Sequence, residues 1–120
     1  MVTATWSEFT AGMTPNDIAL LEAFRSRALA FPDAHEVVHR TELQYVRARI
    51  FAASFITAHR LEIAIDLLRE VEHPKLRSSF PTTKRVFTHR FSFEQLSDLD
   101  KSIDALLAES YETVGPGTPK

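Results

Sequence analysis

The sequence contains no cysteine, only three glycines and no long apolar run. The lack of cysteine excludes disulfide frameworks, thiolate nucleophiles and cysteine metal sites. Three scattered glycines cannot build a glycine-rich phosphate loop. The longest nearly apolar stretch, IFAASFI at residues 50–56, is far shorter than the roughly 20 residues of a membrane-spanning helix. We therefore expect a soluble protein, with no membrane partner, in the cytoplasm.

The length and composition predict one globular domain. A chain of 120 residues is long enough for one hydrophobic core. Hydrophobic residues make up 44% and charged residues 25%, which is typical of a globular rather than a disordered chain. We predict a single domain over residues 1–115, followed by a flexible tail over 116–120, where glycines and prolines end the last helix.

The charge is small in total but unevenly distributed. The net charge is −2, yet residues 35–93 carry ten Lys or Arg against six acids, and residues 94–120 carry two against six. The segments therefore have charges of +4 and −4 by this count. Either the two segments attract each other within the fold, or the basic segment binds an anion.

Two stretches have the period of an amphipathic helix. In the first, Thr14 is the predicted N-cap, Pro15 takes the first helical position, and Asp17 completes a capping box. The apolar stripe from Leu96 to Tyr111 predicts the second helix, with Ser92 or Ser97 as alternative N-caps. Ahead of these helices, Trp6 and Phe9 either anchor an N-terminal arm or contact a planar ligand.

Between the helices the period changes to two, which predicts strands near 36–40, 43–48, 50–57, 61–68 and 85–91. The strand at 50–57 is apolar on both faces and is predicted to be central and covered on both sides. Residues 70–83 contain two prolines with serines and threonines, so we predict an irregular loop there. The order of elements predicts a two-layer α+β fold. Its mostly antiparallel sheet has about four to five strands, with an N-terminal and a C-terminal helix packed on it.

Several basic residues are candidates for an anion site. Arg47 and Arg49 share a face of the predicted second strand and could form a fork for phosphate or carboxylate; the alternative is an acid-paired strand face. On the last strand, Arg85 and His89 share a face with Phe87. The histidine is then either a buried ring with one nitrogen hydrogen-bonded, or a pocket acid, base or anion donor.

Other site chemistries find no support in the pattern. The five histidines lack the spacing of a zinc site, and no hydrolase nucleophile motif is present. We expect no metal and no cofactor. Arg90 faces away from His89, and on that face Glu62 or Asp66 could pair with it if the strands are neighbours.

Three motifs of the second half carry a family resemblance. They are a Pro-x-Leu-Arg loop at 74–77, a Lys-Arg-x-Phe-x-His strand at 84–89, and a Leu-x-Asp-Leu-Asp helix from 96 that ends near Tyr111. With them the chain resembles the bacterial family catalogued as domain of unknown function 5655, over nearly its whole length.

The chain also departs from the family pattern. Members often carry Thr-Lys-Thr where residues 39–41 read His-Arg-Thr, and Ala where this chain has Ser110. The family has no established activity, so the resemblance implies the fold and not a reaction. It singles out Thr41, Arg85 and His89 as polar positions of interest.

These residues lead to one main functional hypothesis and three alternatives. The main one is a small binding or accessory module that presents its basic sheet face to an anionic metabolite or an acidic protein partner, through Arg47, Arg49, Arg85, His89 and Thr41. The alternatives are an enzyme that uses His89 as acid or base beside an arginine clamp, a nucleic-acid binder that uses Phe87 and Phe91, and a homodimer. A pI near 6.2 is low for the nucleic-acid alternative.

Overall fold

Three helices and one six-stranded sheet make up the computed structural model, which describes residues 2–117. The helices are α1 (Trp6–Thr10), α2 (Pro15–Ala28) and α3 (Lys101–Thr113), and a 3-10 turn (Leu96–Asp98) precedes α3. The strands are β1 (His35–Val38), β2 (Leu43–Val46), β3 (Ile50–Thr57), β4 (Arg60–Leu67), β5 (Leu76–Pro81) and β6 (Phe87–Phe93). They lie in the order β1-β2-β3-β4-β6-β5, and all neighbours are antiparallel. The α+β class is thereby confirmed.

Helix α2 begins as its sequence predicts. The Thr14 hydroxyl accepts from the Asp17 N–H, and the Asp17 carboxylate accepts from the Thr14 N–H, both at 3.1 Å. This reciprocal pair satisfies two N–H groups that the first turn leaves without partners. The apolar side of the helix, with Leu20, Leu21 and Phe24 fully buried, packs on the sheet.

The alternation of β4 sets the two faces of the sheet. Leu61, Ile63, Ile65 and Leu67 are fully buried under the helices, on what we call the helix face. Residues 62, 64 and 66 point to the other side, the open face. Residues that are paired across two strands point to the same face, so the register shows which residues of β3 and β6 lie on the helix face and which on the open face.

Strand β3 contains a bulge at its start, which explains why two successive residues are buried there. The register changes from Tyr45↔Ala52 to Val46↔Ile50, so Phe51 is an extra residue in β3. Phe51 and Ala52 are both buried, because a bulge lets two successive side chains point the same way. The prediction of a strand covered on both sides is wrong, since the packed helices cover one face.

The predicted loop at 70–83 contains a sixth strand, so the expectation of four to five strands is wrong. Strand β5 pairs with β6 along the sheet edge, with a register irregularity between Leu76 and Ser78. Pro81 is tolerated because an edge strand need not donate every N–H. The backbone hydrogen bonds between β5 and β6 outweigh the low preference of serine and proline for strands. Residues 82–86 then form a turn, closed by the Thr82 N–H and the Val86 carbonyl at 2.8 Å.

Helix α3 begins later than the stripe predicts. Its N-cap is Asp100, whose carboxylate accepts from the Ser102 N–H at 3.0 Å, and not Ser92 or Ser97. At the other end, the Gly115 carbonyl accepts from the N–H groups of Ala48 and Arg49 at 2.8 and 2.9 Å. A side chain at Gly115 would collide with the backbone of the last helical turn. Glycine therefore lets the end of α3 attach to the β2–β3 turn.

The N-terminal residues are anchored as the first interpretation of Trp6 and Phe9 predicts. Phe9 is buried in the main core from the short helix α1, and the Arg25 guanidinium lies 4.5 Å from the Trp6 ring centroid. Preceding residues cover part of the β1 edge, because Thr3 bridges to His39.

Ion pairs join the basic and acidic segments. Arg60 pairs with Glu94, Arg69 with Glu109 at 2.8 Å, and Lys75 with Asp98 at 3.4 Å. The attraction within the fold is therefore confirmed as one use of the charge asymmetry.

The predicted tail is only partly described. The Gly117 N–H donates to the Val114 carbonyl at 3.0 Å, and residues 118–120 lie outside the described range. Within residues 2–117, none of the helices has the length and apolar content to cross a membrane.

Candidate functional site

The predicted arginine fork does not form. Arg47 and Arg49 lie in the β2–β3 turn and not on a strand, so strand alternation does not apply to them. Arg47 lies over the Tyr111 ring of α3, at 4.5 Å from its centroid. Arg49 instead donates to Asp66 on the open face at 3.2 Å. The two guanidinium groups therefore point to different sides of the sheet.

Two other predicted residues lie apart from this pair. Arg85 is exposed in the β5–β6 turn, because β6 begins at Phe87 and not at residue 85. Thr41 is exposed in the β1–β2 turn, at the opposite end of the sheet from the β2–β3 turn. The five predicted ligand-binding residues therefore do not converge on one pocket.

His89 is fully buried on the helix face, with both ring nitrogens engaged. Nε2 lies 3.0 Å from the Val71 N–H and can only accept from it. Nδ1 lies 3.2 Å from the Phe87 carbonyl and must therefore carry the proton. The surroundings of His89 fix one neutral tautomer. This agrees with the prediction of a buried ring, except that both ring nitrogens are hydrogen-bonded and not one.

A different basic cleft lies on the open face, near the start of β4 and the end of β6. Its lining residues are Arg60, Pro74, Lys75, Leu76, Arg77 and Ser92, and its volume is about 390 Å³. We call it the basic cleft. The irregularity in β5 falls at Arg77, between the paired residues Leu76 and Ser78. Such a bulge re-aims one side chain, and here Arg77 reaches Glu62 of β4.

A chain of hydrogen bonds holds the two arginines of the cleft. Arg60 Nε donates to Ser92 Oγ at 2.7 Å, and Ser92 Oγ donates to Glu62 Oε2. Arg77 Nη1 donates to the other oxygen of Glu62, Oε1, at 2.8 Å. Arg60 Nη1 also pairs with Glu94. Within residues 2–117, Arg77 Nε and Nη2 and Arg60 Nη2 have no hydrogen-bond partner, so these donors are free for a ligand.

Two of the three acids that pair with the cations of the cleft are largely buried, and the third, Glu94 beside Arg60, is 71% exposed. The Glu62 side chain is only 9% exposed, whereas that of Arg77 is 61% exposed. Likewise Asp98 is 11% exposed, whereas Lys75 is 42% exposed. A ligand that approaches the Arg77 and Lys75 side of the cleft therefore meets cations in front of their acids, whereas the Arg60 side also presents the Glu94 carboxylate. Guanidinium groups fixed from behind, with donors left over, are suited to carboxylate or phosphate oxygens.

Asp98 is a firmly ionised partner for Lys75. Burial disfavours the charged carboxylate of Asp98. The N–H groups of Glu94 and Gln95, at 3.0 and 3.3 Å, and the Lys75 ammonium favour the charged form and together outweigh burial. The pKa of Asp98 is therefore lowered from its usual range. Lys75 is thus held beside the cleft at neutral pH.

A second cluster contains the residue types of a hydrolytic triad, but its hydrogen bonds run the wrong way. His73 Nδ1 accepts from the Lys75 N–H at 3.0 Å, so Nε2 carries the proton and donates to Ser102 Oγ at 2.7 Å. The Ser102 hydroxyl in turn donates to Asp100 at 2.5 Å. A general base must accept the serine proton, and here the histidine already donates to it.

The basic cleft was missed because its residues come from three separate segments. Arg60 is the first residue of β4, Ser92 lies next to the end of β6, and Lys75 and Arg77 come from the segment that the sequence predicts as a loop. One signal was present: the Pro-x-Leu-Arg motif ends at Arg77. Only the pairing of β5 with β6 and β6 with β4 brings these residues together.

Comparisons with known proteins give a family match. One protein-family model matches residues 7–114, and its description is a domain of unknown function, DUF5655. No curated protein and no solved structure matched the chain. The match covers nearly all of the described residues, including every lining residue of the basic cleft.

Proposed function

The chain belongs to the DUF5655 family, whose description names no activity, and we propose from its geometry that it is a small binding module for an anionic small molecule. The basic cleft is the binding site in this proposal. The observation that carries it is the arrangement of Arg77 above the buried Glu62, with Nε and Nη2 of the guanidinium without partners among residues 2–117. The cleft volume of about 390 Å³ is within the range of small-molecule sites.

Each cation has a distinct part in this proposal. Arg77 and Arg60 offer planar donor edges, which suit the paired oxygens of a carboxylate or phosphate. Lys75 adds a point charge, and Pro74 and Leu76 supply apolar wall. The buried Glu62 holds Arg77 directly and Arg60 through Ser92, so little side-chain freedom is lost when an anion binds.

The enzyme and nucleic-acid alternatives have less support. The enzyme alternative depends on His89, whose two nitrogens both bind backbone groups within a closed core. The nucleic-acid alternative depends on Phe87 and Phe91, which lie on the helix face, with Phe91 fully buried. A stacking platform needs aromatic rings that are open to solvent.

Calorimetry with sulfate, citrate and pyrophosphate at low ionic strength tests the proposal. We expect binding to the unmodified protein, and a loss of roughly tenfold or more in affinity for Arg77→Gln, because hydrogen bonds to charged groups contribute about 1.5–3 kcal/mol. Arg77→Lys keeps the charge but removes the fork, and should also lose affinity.

The matched control is Arg85→Gln, which makes the same charge change in an exposed turn outside the cleft. It should change affinity less than about twofold, since exposed charges are screened. Equal losses for Arg77→Gln and Arg85→Gln, or no binding of any of the three anions, would contradict the proposal. Binding of polyglutamate alone would instead favour an acidic protein partner.

We also propose a cytoplasmic location. The support is the lack of cysteine, which is compatible with a reducing compartment. Fractionation of the native host would test it, and recovery of the protein outside the cytoplasm would contradict it.

A further inference from the structure

Two histidine side chains hold the segment between β4 and β5, residues 68–75, through its backbone. The Val71 N–H donates to His89 Nε2 at 3.0 Å. The Lys75 N–H donates to His73 Nδ1, also at 3.0 Å. Lys75 lines the basic cleft, and β5 begins at the next residue, so this segment leads directly into the binding site.

Each histidine can make these contacts only as one neutral tautomer. His89 uses its other nitrogen to donate to the Phe87 carbonyl, and His73 uses its other nitrogen to donate to Ser102 Oγ. A second proton would therefore go on the nitrogen that accepts from the backbone. Protonation would then set an N–H group against the N–H group of Val71 or Lys75, which removes the hydrogen bond.

We propose that protonation of His73 and His89 releases the 68–75 segment and so weakens anion binding at the basic cleft. The coupling to affinity rests on the proposed function, whereas the release of the segment does not. Histidine is the side chain whose ordinary chemistry allows a change of charge between about pH 5 and pH 8, and this sets the range of the tests below.

The charged groups around the two rings differ. His73 is half-buried, its ring is nearly perpendicular to that of Phe91, and the Asp100 carboxylate accepts from Ser102, which lies between Asp100 and His73. Neighbouring charges on its own segment are Arg69, Glu70, Glu72 and Lys75, of which Arg69 pairs with Glu109 of α3 and Lys75 with Asp98 before α3.

His89 is fully buried on β6 and has Ile65 of β4 and Ser79 of β5 as its cross-strand partners. Neither of these residues carries a charge. A charge on His89 would therefore have no opposite charge among its cross-strand partners.

The proposal makes the opposite prediction to simple electrostatics. A new positive charge on His73, beside Lys75, would by itself attract an anion and strengthen binding. If the histidines instead fix the shape of the cleft, acid weakens binding, because Lys75 and the start of β5 lose their position. The sign of the pH effect therefore separates the two explanations.

The first measurement is amide hydrogen exchange by NMR on the unliganded protein, at about pH 8 and about pH 5. After correction for intrinsic rates, protection of the Val71 and Lys75 amides should fall roughly tenfold or more at the lower pH. The amide of Ile63 in central β4 should keep its protection. Unchanged protection at Val71 and Lys75 would overturn the proposal.

The second measurement uses sulfate, which stays a dianion across this range. Its affinity for the unmodified protein should fall roughly tenfold at the lower pH, by the same loss of the backbone hydrogen bonds. Stronger binding in acid would overturn the coupling and favour simple electrostatics. Absence of sulfate binding at either pH would count against the proposed function, while the exchange data would still decide whether the segment is released.

Two neutral replacements serve as controls. His73→Asn places an amide oxygen near the former Nδ1, and His89→Gln places one near the former Nε2, so each can accept the same backbone N–H without titrating. In each variant the pH dependence at its own amide should disappear. Should His89→Gln fail to fold, His73→Asn still tests the Lys75 amide, and a retained pH dependence there would contradict the proposal.

Discussion

Replacing Ser110 with alanine should destabilise the protein, because the Ser110 hydroxyl joins α3 to two strands. This hydroxyl is fully buried and lies 2.7 Å from the Phe51 carbonyl and 2.5 Å from the Asp66 carbonyl. Phe51 is the bulge residue of β3, and Asp66 lies near the end of β4. The single hydroxyl proton is shared between both acceptors. Alanine fits the space but leaves both contacts unmade.

The magnitude follows from two opposing effects. An unsatisfied buried polar group costs about 1–3 kcal/mol. Alanine has the higher helix propensity, which returns up to about 0.5 kcal/mol in a helix interior. The free energy of unfolding should therefore fall by about 1–2 kcal/mol, which corresponds to a Tm lower by roughly 4–8 °C for a domain of this size.

Urea unfolding followed by circular dichroism measures this change, with Thr113→Ala as the control. Thr113 is exposed on the same helix, and its hydroxyl donates to the Glu109 carbonyl at 2.7 Å. Because water can replace that contact, the control should change the free energy of unfolding by less than about 0.5 kcal/mol. If Ser110→Ala is no more destabilising than Thr113→Ala, the hydroxyl does not anchor the helix and the reasoning is refuted.

Two further predictions concern the end of the sheet near the N-terminus of α2. The Asp17 carboxylate is buried, which opposes its charge, but bonds from Thr14 and His59 outweigh this and lower its pKa. A carboxylate whose pKa is lower in the folded state stabilises the fold above its unfolded pKa of about 4, and this stability is lost as the pH falls through the folded pKa. Asp17→Asn should therefore be less stable than the unmodified protein at neutral pH, by a difference that shrinks in acid. A difference that stays constant between neutral pH and about pH 3 in urea titrations would refute this. In the β3–β4 turn, Ala58 has a φ of 50°, a left-handed conformation that asparagine adopts more readily than alanine. Ala58→Asn should therefore raise the free energy of unfolding by about 0.5–1 kcal/mol. A decrease in the same urea assay would show that alanine is not strained in this turn.

The regular elements could be predicted because their patterns are local. The capping box at Thr14 and the alternation from Leu61 to Leu67 each lie within a few successive residues. The burial of one face of β4 follows from period two alone. Such signals need no knowledge of which strands are neighbours.

The missed features depend on pairing that is distant in the sequence. Strand β5 has serine and proline in place of β-branched residues, and it is a strand only because β6 provides its ladder. The bulge at Phe51 likewise exists only relative to β2. Arg90 lies opposite Ala64 on the neighbouring strand, but Glu62 and Asp66 pair with Arg77 and Arg49, and the Arg90 guanidinium lies 5.3 Å from the Phe55 ring centroid instead.

The predicted ligand-binding residues do not converge, for a related reason. Arg47 and Arg49 are close in sequence, but a turn sends their side chains to opposite faces of the sheet. The residues that do converge, Arg60 and Arg77, are brought together by the sheet. Composition could indicate that cations were available, and only the register could show which of them meet.

The most direct test of the account is to locate the bound anion. In an NMR titration with sulfate at neutral pH, the largest shifts should fall on the Nε–H groups of Arg60 and Arg77 and on the Ser92 amide, which surround the basic cleft. Shifts centred instead on Arg47, Arg49 or Arg85, or no saturable shifts at all, would contradict the assignment of the basic cleft as the anion site.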